Sequence, residues 1–259
     1  MTPKPPVPVA IEANPWAELK QFTSARIALG RVGSSLPTNE VLRFGLAHAA
    51  ARDAVHAPLD YAVLGRELLA AGFDSHRVHS RAVDRATYLL RPDLGRDLRD
   101  DSRALLAASA DKPLDTVFVI ADGLSAFAIA RHAVPLLVAV HALLPPTYVM
   151  PPVVIASQGR VAIGDAIGES LRARSVVVLI GERPGLSSPD SLGIYLTYAP
   201  KVGRTDAERN CISNIRPEGL PYADAARKLS WLLQTALQLR LSGIGLKDQS
   251  DLLEYQPHE

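Results

Sequence analysis

The stretch that decides the fold of this chain runs from Ser175 to Leu220 and has the sequence SVVVLIGERPGLSSPDSLGIYLTYAPKVGRTDAERNCISNIRPEGL. Residues 176–180 are apolar and mostly β-branched, a pattern typical of a strand buried on both faces of a parallel sheet. Residues 181–190 combine two glycines, two prolines and mostly polar side chains, which predicts a surface loop. The alternation across residues 192–198 predicts a second strand with one buried face. Loops at the carboxyl ends of central strands usually bind ligands in open α/β sheets, so the stretch predicts a binding edge without a recognisable catalytic set.

The composition is that of an ordinary soluble protein. The 259 residues allow one large or two modest domains, and 47% of them are hydrophobic, enough to build a core. Lys and Arg total 28 against 27 acidic residues, so charge gives no argument for a nucleic-acid or membrane partner. One cysteine excludes an internal disulfide, and no apolar run reaches the roughly 18 residues of a membrane span. We therefore expect a cytoplasmic protein.

The chain divides into three regions by its patterning. Residues 1–15 are rich in proline and predict a mobile tail. Residues 16–110 predict mainly helices after a first short helix at 11–21, with Thr38 as one cap and Gly72 as one stop. Residues 111–259 predict strands that alternate with helices. The fold class is therefore predicted as α/β, a doubly wound Rossmann-like parallel sheet with a mainly helical N-terminal region.

Within the third region, the main elements can be placed individually. Strands are predicted at residues 116–121, 151–156, 176–180 and 192–198, and the last long helix at residues 222–241. Pro135 is expected to kink or restart the helix that Ser125 caps. Residues 206–217 form a charged, amide-rich run around Cys211.

Two catalytic motifs are incomplete. Ser125 lies at a predicted turn from strand to helix, where an α/β-hydrolase carries its nucleophile, but Phe127 stands where a glycine is required. Asp122, Ser125 and His132 can be imagined as a catalytic triad, but Asp122 precedes the serine and His132 would lie on the same helix as Ser125. A helix cap is therefore the better interpretation of the serine. Residues 181–188 have the glycines and hydroxyls of a phosphate loop but lack its lysine.

Two side chains of the opening stretch are candidate ligand contacts. Glu182 follows the buried strand directly, and its carboxylate can accept hydrogen bonds from ligand amides or hydroxyls, each worth about 1.5–3 kcal/mol. Cys211 has no histidine near it in sequence, so a nucleophilic role lacks a base. A structural role and a ligand-contacting role both stay open for this cysteine.

Several longer segments resemble the small subunit of ethanolamine ammonia-lyase. The resemblance runs from about Trp16 to Asp248 and includes the rare string CISNIRPEG. The segments that carry it are TSARIALGRVG (23–33), VIADGLSAFAI (119–129), GRVAIGDAIGE (159–169), GERPGLSSPDSLGIYLTY (181–198), ERNCISNIRPEGL (208–220) and LSGIGLKD (241–248). The resemblance implies a subunit of the enzyme that converts ethanolamine to acetaldehyde and ammonia with adenosylcobalamin.

The resemblance also implies a site and a partner. The substrate barrel and the radical chemistry would belong to a separate large subunit, with six large and six small subunits in the assembly. This chain would help to enclose the cofactor at the interface, and the family's cobalamin contacts carry over to Val161, Glu182 and Cys211. On a doubly wound sheet all three would lie at or just beyond strand ends, on one crevice. Residues 111–259 would then be a cobalamin-binding domain, with no catalytic residue or metal ligand in this chain. The family's cofactor keeps its own benzimidazole as lower ligand, which agrees with the imperfect Asp-x-His-x-x-Gly match at residues 74–79.

Other interpretations stay open. A serine hydrolase would need an exposed Ser125 with a base in reach, and a pure assembly subunit would hold large subunits together without touching the cofactor. Some family members carry an N-terminal amphipathic extension that directs them into a protein-shelled microcompartment, whereas this chain starts with a proline-rich segment. We expect the protein in the cytoplasm, either free or inside such a bacterial microcompartment.

Overall fold

The computed structural model describes residues 11–12, 14–110, 112–145, 148 and 151–251. Within these residues, six strands form one sheet and seven α-helices surround it. The strands are β1 (Ser75–His79), β2 (Thr116–Ala121), β3 (Val153–Ser157), β4 (Ser175–Gly181), β5 (Leu192–Tyr198) and β6 (Arg209–Ile215). The helices are α1 (Thr38–His56), α2 (Tyr61–Ala70), α3 (Arg85–Leu90), α4 (Asp100–Ala108), α5 (Ala126–His141), α6 (Ile163–Ser170) and α7 (Tyr222–Leu239). No helix in this described part is long and apolar enough to cross a membrane.

The sheet is mixed, with the strand order β1-β3-β2-β4-β5-β6. Its first four strands are parallel, whereas β5 runs antiparallel to β4 and β6 antiparallel to β5. The α/β class is confirmed, but the prediction of a parallel sheet is wrong for β5 and β6. Only residues 182–191 join β4 to β5, and a parallel neighbour needs a crossover of about a dozen residues or more. The strand order also differs from the 3-2-1-4-5-6 order of a Rossmann sheet, so the doubly wound Rossmann-like description is not confirmed.

The N-terminal region supplies a strand as well as helices. β1 pairs in parallel with β3 at the edge of the sheet, inside the region that the sequence predicts as mainly helical. Val78 is the one buried side chain of β1, because an edge strand of this kind is solvated on most of its surface. The strand therefore has no apolar run to reveal it, and the prediction of a mainly helical region is not confirmed. The division of the chain at residue 110 stays a prediction.

The first described segment is less regular than predicted. Most of the tail predicted at residues 1–15 lies outside the described residues, and Glu12 forms an isolated antiparallel bridge with Arg31. The helix predicted at residues 11–21 is a short 3-10 helix, Ala17–Phe22, without a buried residue to anchor it. Thr38 is the first residue of α1 instead of its cap, and Pro37 holds the cap position.

The predicted helix stop at Gly72 and the predicted cap at Ser125 are confirmed. Asp60 caps α2 by accepting hydrogen bonds from two backbone N–H groups, and Gly72 ends that helical segment with a φ of +87°. Ser125 caps α5 through the N–H of Ala128, at 3.2 Å. The helix does not restart at Pro135, because α5 continues through it, and a kink at this residue stays a prediction. Pro135 is exposed, so water can solvate the carbonyl that loses its partner while the opposite side of α5 stays packed.

Each face of the sheet carries its own apolar core. Val177 and Leu179 of β4 face the core that contains α5 and α7. Val176 and Val178 alternate with them and face the core that contains α4 and α6. Strands β2, β3 and β4 are buried along their whole length, as their continuous apolar runs predict. The carboxyl ends of these three central strands meet at one edge of the sheet.

Candidate functional site

Loops from three central strands form an open cleft of about 380 Å³ at this edge. The loop after β3 contributes Val161, and the loop after β4 contributes Glu182. The turn after β2 lies between these two loops and contributes Gly123 and Leu124. Two residues that the resemblance singles out, far apart in sequence, therefore line one concave surface where open α/β sheets usually bind ligands.

Two glycines let the walls of the cleft touch through their backbones. A Cβ atom added at Gly181 would lie 2.1 Å from the carbonyl oxygen of Ser125, and one added at Gly123 would lie 2.3 Å from the carbonyl oxygen of Gly181. Gly123 also has a φ of +58°, a region that other residues rarely adopt. The N–H of Leu124 donates to the Gly181 carbonyl at 2.8 Å. The end of β4 and the turn after β2 therefore form one close-packed unit under the cleft.

The carboxylate of Glu182 is held by three protein donors. Its Oε1 accepts a hydrogen bond from the hydroxyl of Ser213, and its Oε2 accepts from the hydroxyl of Ser191. Oε2 also accepts from the backbone N–H of Asn214, at 3.2 Å. Glu182 thus ties the end of β4 to β6 across β5. A carboxylate offers about four acceptor positions, so about one remains for a donor on a ligand.

Cys211 lies beside the cleft and not in its wall. It pairs with Tyr195 across β5 and β6, and the Tyr195 side chain lines the cleft. The residue is exposed overall, yet partial burial of its thiol, with the Glu182 charge nearby, raises the pKa of Cys211. The thiol is therefore protonated at neutral pH, which argues against a nucleophilic role. The structure brings Val161 and Glu182 together and leaves Cys211 one side chain away.

The aromatic and cationic part of the cleft was missed by sequence reasoning. Tyr88 of α3 lines the cleft, and the guanidinium of Arg160 lies 4.2 Å from its ring centroid. The Tyr88 hydroxyl donates to the carbonyl of Gly159 at 3.2 Å, and burial raises the pKa of Tyr88. Arg160 could have been found from its position next to Val161. Tyr88 belongs to a six-residue helix with no motif, so no sequence signal marks it.

A buried carboxylate clamps two of the loops from behind. Asp122 accepts hydrogen bonds from the N–H of Gly159 at 3.0 Å and of Gly123 at 3.1 Å, both at Oδ1. The hydroxyl of Tyr61 donates to Oδ2 at 3.0 Å, and Arg85 Nη1 lies 3.9 Å from the same oxygen. Asp122 therefore fixes the turn after β2 relative to the loop after β3. The acid of an imagined catalytic triad is fully engaged in this structural role.

The other members of that triad are also engaged elsewhere. Ser125 is fully buried, and its hydroxyl donates to the carbonyl of Pro189 at 2.8 Å. His132 Nδ1 lies 2.7 Å from the hydroxyl of Tyr222. A serine hydrolase needs an accessible nucleophile bonded to its base, and this arrangement provides neither. In the described residues there is also no group of three or more His, Cys, Asp or Glu side chains that could hold a metal ion.

His132 is expected to make stability depend on pH. Its ring is buried between Tyr222 and Asp190, whose Oδ2 lies 3.5 Å from Nε2, with Arg131 and Glu218 as the other nearby charges. Burial is the largest effect and lowers the pKa of His132 below its usual 6.5, although Asp190 opposes this. As the pH falls below about 6.5, the unfolded chain takes up a proton here before the folded one, so stability falls.

The measurement is urea unfolding of the wild type and His132→Asn between about pH 7 and pH 5. The wild type should lose stability across this range, and His132→Asn should lose less. The same change at the exposed His56 is the control and should leave the slope unaltered. Equal slopes for the wild type and His132→Asn would contradict this role of His132.

Comparisons with known proteins agree with one another. The model of the ethanolamine ammonia-lyase light chain family matches residues 13–247. The ethanolamine ammonia-lyase small subunit of Pseudomonas paraeruginosa is 54% identical over 250 residues, which cover 95% of this chain and 92% of the relative. The protein of the same name from Pseudomonas syringae pv. tomato is 54% identical over 247 residues, covering 94% and 86%. That from Ralstonia nicotianae is 53% identical over 249 residues, covering 95% and 92%.

Proposed function

The chain belongs to the ethanolamine ammonia-lyase light chain family, and on that premise we propose that it covers one side of a cobalamin at the interface with a catalytic large subunit. It is the small subunit of a lyase, so a larger partner subunit is implied. The proposed reaction is the adenosylcobalamin-dependent conversion of ethanolamine to acetaldehyde and ammonia. The assembly of six large and six small subunits, and the location free in the cytoplasm or inside a microcompartment, stay predictions.

The cleft has the right character for one edge of a corrin. Its volume of about 380 Å³ and its open mouth suit part of a large flat ligand, so a partner chain would have to enclose the rest. Leu124, Val161 and Ile180 offer apolar contact, and the remaining acceptor position of Glu182 suits a ligand amide N–H. Among the described residues, those that line the cleft include no histidine, so the proposal assigns this chain contacts with the periphery of the cofactor.

The share of this chain in the reaction is binding, orientation and exclusion of water. Glu182 and Val161 would help to hold the cofactor, which would supply radical chemistry when bound. Glu182 would orient a peripheral amide, and Val161 would pack against the ring edge. The backbone contacts of Gly123 and Gly181 hold the segment that carries Glu182, and the hydrogen bond from Gly159 to Asp122 holds the loop that carries Val161, so both groups are placed before the ligand arrives. Closing the site against solvent would protect a reactive species from side reactions.

One observation carries the proposal. Val161 and Glu182, the family's two cobalamin-contact positions that lie on loops, converge on a single open cleft, although 20 residues separate them in sequence. Ser125, the serine that a hydrolase would need as its nucleophile, is buried and bonded to Pro189. A binding role is therefore better supported than a hydrolytic one.

Glu182→Ala is expected to raise the dissociation constant of cobalamin by about tenfold or more in the complex with the large subunit. The change removes the acceptor for a ligand amide and also frees Ser191 and Ser213 beside the cleft. The measurement is equilibrium dialysis of the co-expressed two-subunit complex with cobalamin, followed by its absorption spectrum.

Glu67→Ala serves as the matched control, since Glu67 is an exposed glutamate of α2 outside the cleft. The Glu67→Ala complex should bind cobalamin as tightly as the wild-type complex. If Glu182→Ala bound cobalamin as tightly as the wild type, the cofactor role would be refuted. A fully assembled complex with that result would favour the alternative of a pure assembly subunit.

A further inference from the structure

A second cleft, of about 430 Å³, opens beside the cleft that Glu182 lines, and its walls are rich in arginine. We call this second cleft the arginine pocket. Asp206 is the one acidic residue among the described residues that line it. The arginines come from three separate segments of the chain and are Arg96, Arg160, Arg204 and Arg209.

Two of these arginines are already neutralised by carboxylates. Arg204 Nη1 donates to the carboxylate of Glu208, and its Nε and Nη2 donate to the carbonyl of Ala199 at 3.1 and 3.0 Å. Arg209 donates to both carboxylate oxygens of Asp165, at 2.7 and 2.6 Å. Arg204 and Arg209 therefore form a fixed wall of the pocket and leave little free charge for a ligand.

The other two arginines have no acidic partner among the described residues. Arg160 Nη2 donates to the carbonyl of Tyr88 at 3.1 Å, whereas its Nε is buried without a hydrogen-bond partner there. Arg96 is exposed, and within the described part of the chain its side chain makes no hydrogen bond or ion pair. Asp206 offsets one of these two charges, so the pocket keeps an excess of one positive charge. A partly satisfied guanidinium in such a cleft is explained by an absent anion.

Gly95 brings the two unpaired arginines together. The backbone N–H of Arg160 donates to the carbonyl of Gly95 at 2.7 Å. A Cβ atom added at Gly95 would lie 2.9 Å from Cγ of Arg160, so the two segments approach each other more closely than a side chain would allow. Arg96 follows Gly95 directly. The positions of both arginines at the pocket are therefore set by backbone packing.

The start of α6 adds backbone donors to the same pocket. Val161 and Ala162 line it immediately before Ile163, the first residue of the helix. The N–H groups of Val161 and Ala162 have no acceptor among the described residues. Free N–H groups at a helix start favour an anion, and guanidinium groups are suited to the paired oxygens of a phosphate. The arginine pocket thus combines two kinds of phosphate donor.

We propose that the arginine pocket binds a phosphate-class anion, and that this anion is the phosphodiester of the nucleotide tail of cobalamin. The inference rests on the proposed function, in which the corrin edge lies in the neighbouring cleft. Arg160 and Val161 line both clefts, so the two are contiguous and one ligand can occupy them together. A phosphodiester carries one negative charge, which equals the excess positive charge of the pocket. Free phosphate has the same chemistry and is the other source that the test separates.

Arg96→Gln tests the charge of the pocket without disturbing the core, because Arg96 is exposed. The measurement is equilibrium dialysis of the co-expressed two-subunit complex, first with cobalamin and then with cobinamide, which has the corrin ring but lacks the nucleotide and its phosphodiester. The dissociation constant of cobalamin should rise about three- to tenfold, and that of cobinamide should stay within about twofold. Arg66→Gln is the matched control, since Arg66 is an exposed arginine of α2 outside both clefts, and it should change neither constant.

Asp206→Asn should act in the opposite direction. The side chain of Asp206 is 99% exposed, and asparagine keeps the oxygen that lies 3.5 Å from Arg209 Nε while it removes the negative charge. Cobalamin should therefore bind about two- to fivefold more tightly, with no gain for cobinamide. A gain in affinity cannot be attributed to damaged folding. Unchanged cobalamin affinity in both Arg96→Gln and Asp206→Asn would overturn the proposal, and so would equal changes for cobalamin and cobinamide.

Titration calorimetry with inorganic phosphate identifies the source of the anion. Phosphate should bind the wild-type complex without cobalamin, bind Arg96→Gln more weakly, and be displaced by cobalamin but not by cobinamide. Phosphate that still binds in the presence of cobalamin, and that alone responds to Arg96→Gln, would make free phosphate the ligand and refute the assignment to the tail.

The same two ligands separate this inference from the cofactor role of Glu182. Glu182 faces the proposed ring edge, so Glu182→Ala should weaken cobalamin and cobinamide alike, whereas Arg96→Gln should weaken cobalamin alone. A complex in which Glu182→Ala alters neither ligand would remove the proposed contact of Glu182 with the ring, and the response to Arg96→Gln would still report on the pocket. A complex that responds only to Glu182→Ala would keep the cofactor role and remove the phosphate site.

Discussion

Arg209→Met is expected to lower the free energy of unfolding by about 3–5 kcal/mol. Arg209 Nη1 and Nη2 donate to the two carboxylate oxygens of Asp165 at 2.7 and 2.6 Å, and both side chains are only 2% exposed. Methionine has a similar volume but no charge, so it would leave the Asp165 carboxylate buried without its cation. Urea unfolding followed by far-UV circular dichroism measures the loss. Most domains have only about 5–15 kcal/mol in total, so this is a large fraction.

The double variant Arg209→Met with Asp165→Leu tests whether the unpaired carboxylate of Asp165 causes the loss of stability. Replacing both charges by apolar groups should recover most of the lost stability, because no uncompensated charge is left. Arg174→Met is the exposed comparison, since Arg174 pairs with Asp115 at 2.9 Å and both side chains are about half exposed. Arg174→Met should lower the free energy of unfolding by about 1 kcal/mol or less. If the double variant were as unstable as Arg209→Met, the stranded carboxylate would not be the cause.

This buried pair also bears on the candidate site. Asp165 lies on α6, which starts directly after the loop that carries Val161. Arg209 starts β6, two residues before Cys211, and it also donates to Thr197 of β5 at 2.9 Å. The ion pair therefore fixes the β3 loop relative to the antiparallel edge of the sheet. We expect Arg209→Met to weaken cobalamin binding in addition to its effect on folding.

The sequence predicted those strands whose burial produces a simple pattern. Strands β2, β3 and β4 are covered by helices on both faces, so every position is apolar or small and the run is continuous. β6 was not predicted, because Arg209, Ile212 and Ile215 are its only buried residues and the first of these is charged. The ion pair with Asp165 makes that burial possible, and a partner 44 residues away cannot be read from local periodicity.

The candidate site was predicted only where its residues follow directly from the positions of the predicted strands. Val161, Glu182 and Cys211 were expected at or just beyond strand ends on one crevice. Val161 and Glu182 line one cleft, whereas Cys211 lies in the middle of β6 and does not line it. Their roles toward a cofactor stay predictions. The contribution of Tyr88 and the clamp between Tyr61 and Asp122 depend on how the N-terminal helices dock on the sheet. Docking is decided by tertiary packing, which no local motif in those helices encodes.

Gly181→Ala is expected to cost about 3 kcal/mol of stability and to disrupt the cleft. The new Cβ would lie 2.1 Å from the carbonyl oxygen of Ser125 and 2.7 Å from that of Asp122. Neither oxygen belongs to a flexible side chain, so β4 or the start of α5 has to move. Since Glu182 is the next residue, this movement would also pull its carboxylate away from Ser213, and cobalamin affinity should fall with stability.

A second glycine separates the steric effect from the general effect of adding a methyl group. Gly65 lies inside α2, and a Cβ atom there meets nothing within 4 Å, so Gly65→Ala should stabilise the chain by about 0.5–1 kcal/mol. The midpoint temperature of thermal unfolding should therefore fall for Gly181→Ala and rise for Gly65→Ala. A Gly181→Ala variant as stable as the wild type would mean that the end of β4 yields easily. The fixed placement of Glu182 above the turn after β2, from which the proposed half-pocket derives part of its affinity, would then lose its physical basis.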